Sequence, residues 1–275
     1  MSRYLKLVHM EVNRFKFILL GLMSLTILCQ LGSMIFWTMN ELSLRKTGIW
    51  KNGSSVMFGS LRFADMISST QLLFFIPILL SIGVLAIYVF LIWYRDWFGK
   101  NTFIYRLLML PSARRHIYLA KGTAILIFVF GLVSFQLALL SVESFIFNLI
   151  VSSDMRDPSH FSEIISSNRA LAMLLPENFD QFLVIYGLGI IAVLAIFTAI
   201  LIERSYRRVG ILYGIFYLAI CLVAILFPMI GLGLDQMDGY LYPNEIFVIE
   251  LAMCVGVASV SVWLGFRLLS KKITV

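Results

Sequence analysis

Six apolar runs occupy most of this 275-residue chain and decide what it can become. Five carry no charge: 17–39, 72–94, 122–142, 182–202 and 209–234. The sixth, 246–266, is interrupted only by Glu250. A helix rises about 1.5 Å per residue, so crossing a hydrocarbon core of roughly 30 Å takes about 20 residues. Every run is that long. Helices of water-soluble domains are usually shorter and set an apolar stripe against a polar one. Only 13% of the residues are charged, against about a quarter in a soluble domain. No polar block is long enough for a soluble domain. The reading is an all-α integral membrane protein, one domain over 1–275, with spans at about 17–39, 72–94, 117–151, 182–202, 209–231 and 246–266.

Charge orients the loops. With the N-terminus inside, 16 of the 22 basic residues fall in the inner segments 1–16, 95–121, 203–208 and 267–275. Ten of the 15 acidic residues fall outside, and three (Glu11, Asp96, Glu203) fall inside. Cytoplasmic loops collect Lys and Arg, so both termini are expected in the cytoplasm of a cell, most simply a bacterial, plasma membrane. The net charge of +7 then reflects topology and anionic headgroups. Scattered over several loops, it offers no nucleic-acid surface.

Residues 1–16 carry apolar Leu5, Val8, Val12 and Phe15 at helical spacing, with Lys6, His9, Asn13 and Lys16 one position later. The pattern predicts an amphipathic helix in the membrane interface before the first span. The outer segment 40–71 is polar and contains Asn52-Gly53-Ser54, a glycosylation triplet common by chance. In 152–181, the residues Ile164, Ile165, Leu171, Ala172, Leu174 and Leu175 predict a short helix on the outer surface. Pro77 and Pro228 fall inside spans, where proline frees a carbonyl and favours a kink. Small residues four apart, Gly210/Gly214, Ala252/Gly256 and Ser261/Gly265, let helix backbones approach closely.

The three histidines are scattered, and the three cysteines lie within apolar runs as small packing residues. Neither set predicts a metal site, and no phosphate-binding loop or hydrolase motif is present. No catalytic residue or bound cofactor is expected. Gln30, Gln136, Glu143 and Glu250 are the polar side chains in or near spans. Such groups usually face protein or water, which makes them candidates for a translocation path. An interfacial role is the simpler reading for the two glutamates.

The inner segment 95–121 is longer than a connector needs to be. Ile104, Leu107 and Leu108 give helical spacing, Leu110-Pro111 ends the segment, and Ser112 is placed to cap the next helix. Arg114 and Arg115 follow. The predicted product is a short amphipathic helix beneath the membrane, suited to docking a soluble partner.

In its six-span layout, its interfacial entry helix and the segment Leu107-Leu108-Met109-Leu110-Pro111-Ser112-Ala113-Arg114-Arg115, followed by Lys121-Gly122, the chain resembles type-2 ABC transporter permeases of the exporter class. It departs from them where Lys100-Asn101 separates Gly99 from Thr102. The resemblance implies that Thr102, Phe103, Tyr105, Arg106, Leu107, Leu108, Leu110, Pro111, Arg114 and Arg115 form a coupling helix against a separate ATP-binding subunit. It implies ATP and Mg on that partner, a second permease subunit, identical or different, and an apolar or amphipathic substrate such as a peptide, antibiotic or lipid. The rival expectation is a membrane immunity or sensor protein that binds a ligand without transporting it.

Overall fold

The structure, a computed structural model, describes residues 3–47, 60–98, 113–176, 178–231 and 243–271. These are helical apart from one small strand pair and short connecting turns. In chain order they form α1 (Arg3–Thr47), β1 (Leu61–Arg62), α2 (Phe63–Ser69), α3 (Gln71–Phe98), α4 (Arg115–Ile150), a 3-10 turn (Ser153–Met155), β2 (Arg156–Asp157), α5 (Phe161–Ser166), α6 (Arg169–Leu174), α7 (Phe179–Gly231) and α8 (Pro243–Lys271). Six stretches of these helices are long and apolar enough to cross a membrane, as a multi-pass membrane protein requires.

Two elements differ from expectation. The entry segment is not a separate helix but the first part of α1, which runs unbroken for 45 residues. No glycine or proline occurs before Gly21. Extending an existing helix is much easier than starting a new one, so nothing ends it at residue 16. Lys6, His9, Asn13 and Lys16 are all exposed, as the pattern predicts. The buried face shifts, however, to Leu7, Val8, Glu11 and Phe15, leaving Leu5 outside.

The second difference lies in α7, whose helical backbone covers both the fourth and fifth expected spans. On a straight helix Ala199 and Gly214 would lie about 22 Å apart along the axis. Instead a Cβ on Gly214 would sit 3.1 Å from the Ala199 carbonyl oxygen, and one on Gly210 would sit 2.3 Å from that of Glu203. The chain therefore reverses between Glu203 and Gly210, on the expected inner segment. The two arms pack backbone to backbone because these glycines lack side chains.

Contacts divide the chain into two compact units, each drawing on several helices. The first comprises residues 1–13, 85–126 and 183–275. At its centre Tyr118 and Phe197 meet edge to face at 5.6 Å, and Trp93 meets Phe197 likewise. The Tyr118 hydroxyl donates to the Leu194 carbonyl, while Thr198 donates to the Ser261 carbonyl. Gly265 lies against Tyr118, whose ring would be 2.8 Å from an added Cβ.

The second unit comprises residues 14–84 and 127–182. Its apolar cluster gathers Met34 of α1, Phe63, Met66 and Ile67 of α2, Phe74 of α3, Leu140 and Phe147 of α4, Ile164 of α5 and Leu171 of α6. The predicted surface helix of 152–181 is thus two short helices, α5 and α6, anchored by Ile164, Ile165 and Leu171. Asn168 separates them and caps α6, accepting from Ala170 N at 2.9 Å. Alongside, Leu61–Arg62 pairs in parallel with Arg156–Asp157.

Candidate functional site

The candidate docking residues Thr102, Phe103, Tyr105, Arg106, Leu107, Leu108, Leu110 and Pro111 lie outside the described residues, as does the proposed cap Ser112. The roots of their segment are described, and all belong to the first unit. One root is the last turn of α3, the other the first turns of α4. Arg115 is the exposed first residue of α4. Arg114, just before it, donates through Nη1 to the Leu269 carbonyl at 3.1 Å. That carbonyl lies in the last turn of α8, where the helix dipole favours a cation.

An ion cluster, buried at Glu11, Asp96 and Lys121, joins both roots to α1. Lys121, one and a half turns into α4, is 1% exposed, and its partner Glu11 of α1 is 2% exposed. The ammonium has three protons to place and finds three acceptors: Glu11 Oε1 at 2.8 Å, Asp96 Oδ2 at 2.5 Å and the Ile92 carbonyl at 2.7 Å. The other Glu11 oxygen accepts from Arg95 Nη2 at 2.8 Å. Two cations thus balance two anions. The Trp93 ring lies 5.2 Å from the lysine nitrogen, and the Arg95 guanidinium lies 5.8 Å from the Tyr88 ring. In an apolar setting such charges persist only when paired and hydrogen-bonded. The cluster therefore fixes the end of α3, the start of α4 and the N-terminal turns of α1 to one another.

The third acid expected on the inner side, Glu203, does similar work. Tyr94 of α3 donates to Glu203 of α7. Arg204 lies over Tyr94 and Trp97 at 5.0 and 5.7 Å. The end of α3 is thereby tied to the reversal of α7.

The candidate path residues divide between the units. In the second unit, Gln30 of α1 and Gln136 of α4 exchange amide hydrogen bonds of 3.4 and 3.0 Å. Phe15 and Phe128 meet at 4.7 Å earlier on the same helices, so α1 and α4 run parallel here. Glu143 lies about two turns beyond Gln136 and is 0% exposed. Both of its carboxylate oxygens lack a hydrogen-bond partner. Glu250 belongs to the first unit, half-buried near the start of α8. The structure brings Gln30 and Gln136 together, puts Glu143 on their helix face, and assigns Glu250 elsewhere. Among the described residues, no group of three or more His, Cys, Asp or Glu is placed to hold a metal ion.

Comparison with known proteins finds no matching family model, no similar curated protein and no similar solved structure.

Sequence reasoning missed the cluster of Glu11, Arg95, Asp96 and Lys121. Its signal was charge of the minority sign: the three acids on the basic side are those engaged here. An acid retained among many bases is a candidate for a fixed partner. Which base it meets depends on how separate helices pack, and local spacing does not carry that.

Proposed function

We propose that this chain is the membrane-spanning permease subunit of an ATP-driven exporter, working with a separate ATP-binding subunit and a second permease subunit. Both termini and the segment 99–112 face the cytoplasm in this reading. The substrate is apolar or amphipathic, and ATP is hydrolysed on the partner.

The observation that carries the reading is the anchoring of the two helix ends that flank that segment in the chain. A helix that passes a push into a membrane bundle must have stiff roots, or the push is lost in local flexing. Asp96 and Arg95 at one root, and Lys121 at the other, are held by the ion cluster to α1. Arg114 is further held to the end of α8. Displacing those helix ends therefore displaces the N-terminal turns of α1, the end of α3 and the start of α4 together. A plain connector has no need of buried charge at both ends, since paired charges bring little net stability over well-packed apolar residues. The six apolar stretches and the basic bias of the inner segments are consistent with this arrangement.

Replacing Leu107 and Leu108 together by Asp tests it. The doubly substituted chain is expected to insert normally and to lose association with the ATP-binding subunit in detergent-purified complexes. Unchanged association would overturn the docking role.

A further inference from the structure

Glu143 has neither a hydrogen-bond partner nor a counter-charge among the described residues. It is 0% exposed, and neither carboxylate oxygen has a partner. Its neighbours one turn before and after on α4, Leu140 and Phe147, belong to the apolar cluster of the second unit. Along the span stretches of this unit, 17–39, 71–84 and 127–150, it is the sole charged residue, and Cys29 is the other titratable group. Among the described side chains of the remaining elements, the charged groups are engaged elsewhere or open to water. Glu41 and Arg45 of α1 pair with each other, and Arg62 of β1 pairs with Asp157 of β2 and Glu163 of α5. Asp65 of α2 and Arg169 of α6 are exposed.

The nearby polar groups do not supply a donor either. The Gln30 and Gln136 amides bind one another about two turns away along the helix. Thr38 lies two turns beyond Gln30 on α1, and its hydroxyl donates to the Met34 carbonyl at 2.7 Å. An ionised carboxylate sealed in apolar surroundings without a donor or counter-charge is heavily penalised, whereas a neutral carboxylic acid has one O–H to place.

We propose that Glu143 is a proton-binding site, holding a proton while α1 and α4 are packed as here and exchanging it with water when that packing opens. The step balances without a further reactant. The carboxylate takes a proton from hydronium, leaving water, and returns it by the reverse route. The site would make an opening of this unit sensitive to proton concentration. It stands independently of the ATP-driven reading, because it needs no partner subunit.

The test is infrared spectroscopy of the purified full-length chain in lipid bilayers at neutral pH, wild type against Glu143→Gln. The expected result is a carbonyl stretch of a protonated carboxylic acid in the wild type. It should shift in heavy water and on carbon-13 labelling of glutamate, and it should be absent from Glu143→Gln. Glu143→Asp should restore a band of the same kind. Should Glu143→Gln fail to fold, Glu143→Asp decides, since its band should no longer respond to glutamate labelling. A wild-type spectrum with no label-sensitive protonated band would overturn the proposal, as would one unchanged by Glu143→Gln.

Discussion

Glu11 and Glu143 are acidic residues sealed within long apolar helices, and their circumstances are opposite. Glu11, in the first unit, meets a lysine and an arginine, and each of its oxygens is used. Glu143, in the second, meets no donor at all. The first arrangement spends charge on holding three helices in register. The second leaves a charge uncompensated, which is tolerable only if it is discharged. Burial alone therefore says little about a membrane carboxylate. The count of its partners separates a fastening from a binding group.

Breaking the fastening should have the largest effect. Lys121→Met removes the shared cation and strands Glu11 and Asp96 together without their lysine. A loss of about 3–5 kcal/mol is expected, read as a large drop in the thermal midpoint of the detergent-solubilised chain. Combining it with Glu11→Gln and Asp96→Asn should recover most of that loss, since the stranded charges are then gone.

The glycine contacts sharpen the contrast between fixed and free helix faces. Gly210→Leu puts a side chain where a Cβ would already be 2.3 Å from a backbone oxygen. Forcing the two arms of α7 apart should cost about 1–3 kcal/mol. Gly256→Leu, with nothing within 4 Å of an added Cβ, should leave the midpoint nearly unchanged.

Exposed ion pairs provide a weaker comparison. Arg62 bridges Asp157 and Glu163 with all three side chains more than 40% exposed. Arg62→Ala should therefore cost under about 1 kcal/mol, measured by the same unfolding scan. The smallest effect is expected from Glu143→Gln, which replaces a discharged acid by a neutral amide of similar shape. Equal and large losses at Glu11→Gln and Glu143→Gln would erase the distinction between the two carboxylates.

The long helices were legible because lipid imposes a length and forbids charge, and both constraints appear directly in one-dimensional sequence. The α5–α6 surface pair was partly legible, through Ile164, Ile165 and Leu171. The α1 entry was misread because an amphipathic pattern marks a face and not an end. Small residues four apart announced the close approach at Gly210 and Gly214. In the same pattern at Ala252 and Gly256, an added Cβ on Gly256 would meet nothing within 4 Å among the described residues; spacing shows that a face is small and not what it faces. The pairing of Lys121 with Glu11 joins residues 110 positions apart, and only packing reveals it. The Gln30–Gln136 pair was visible as two polar residues in spans, but their meeting was not.

We propose that this chain passes motion between a membrane pathway and an ATP-binding partner. Gentle affinity purification from native membranes, identifying every protein recovered, tests it most directly. A stoichiometric ATP-binding subunit, lost when Leu107 and Leu108 become Asp, is the predicted result. Recovery of this chain alone, under conditions that keep other membrane complexes whole, would contradict it.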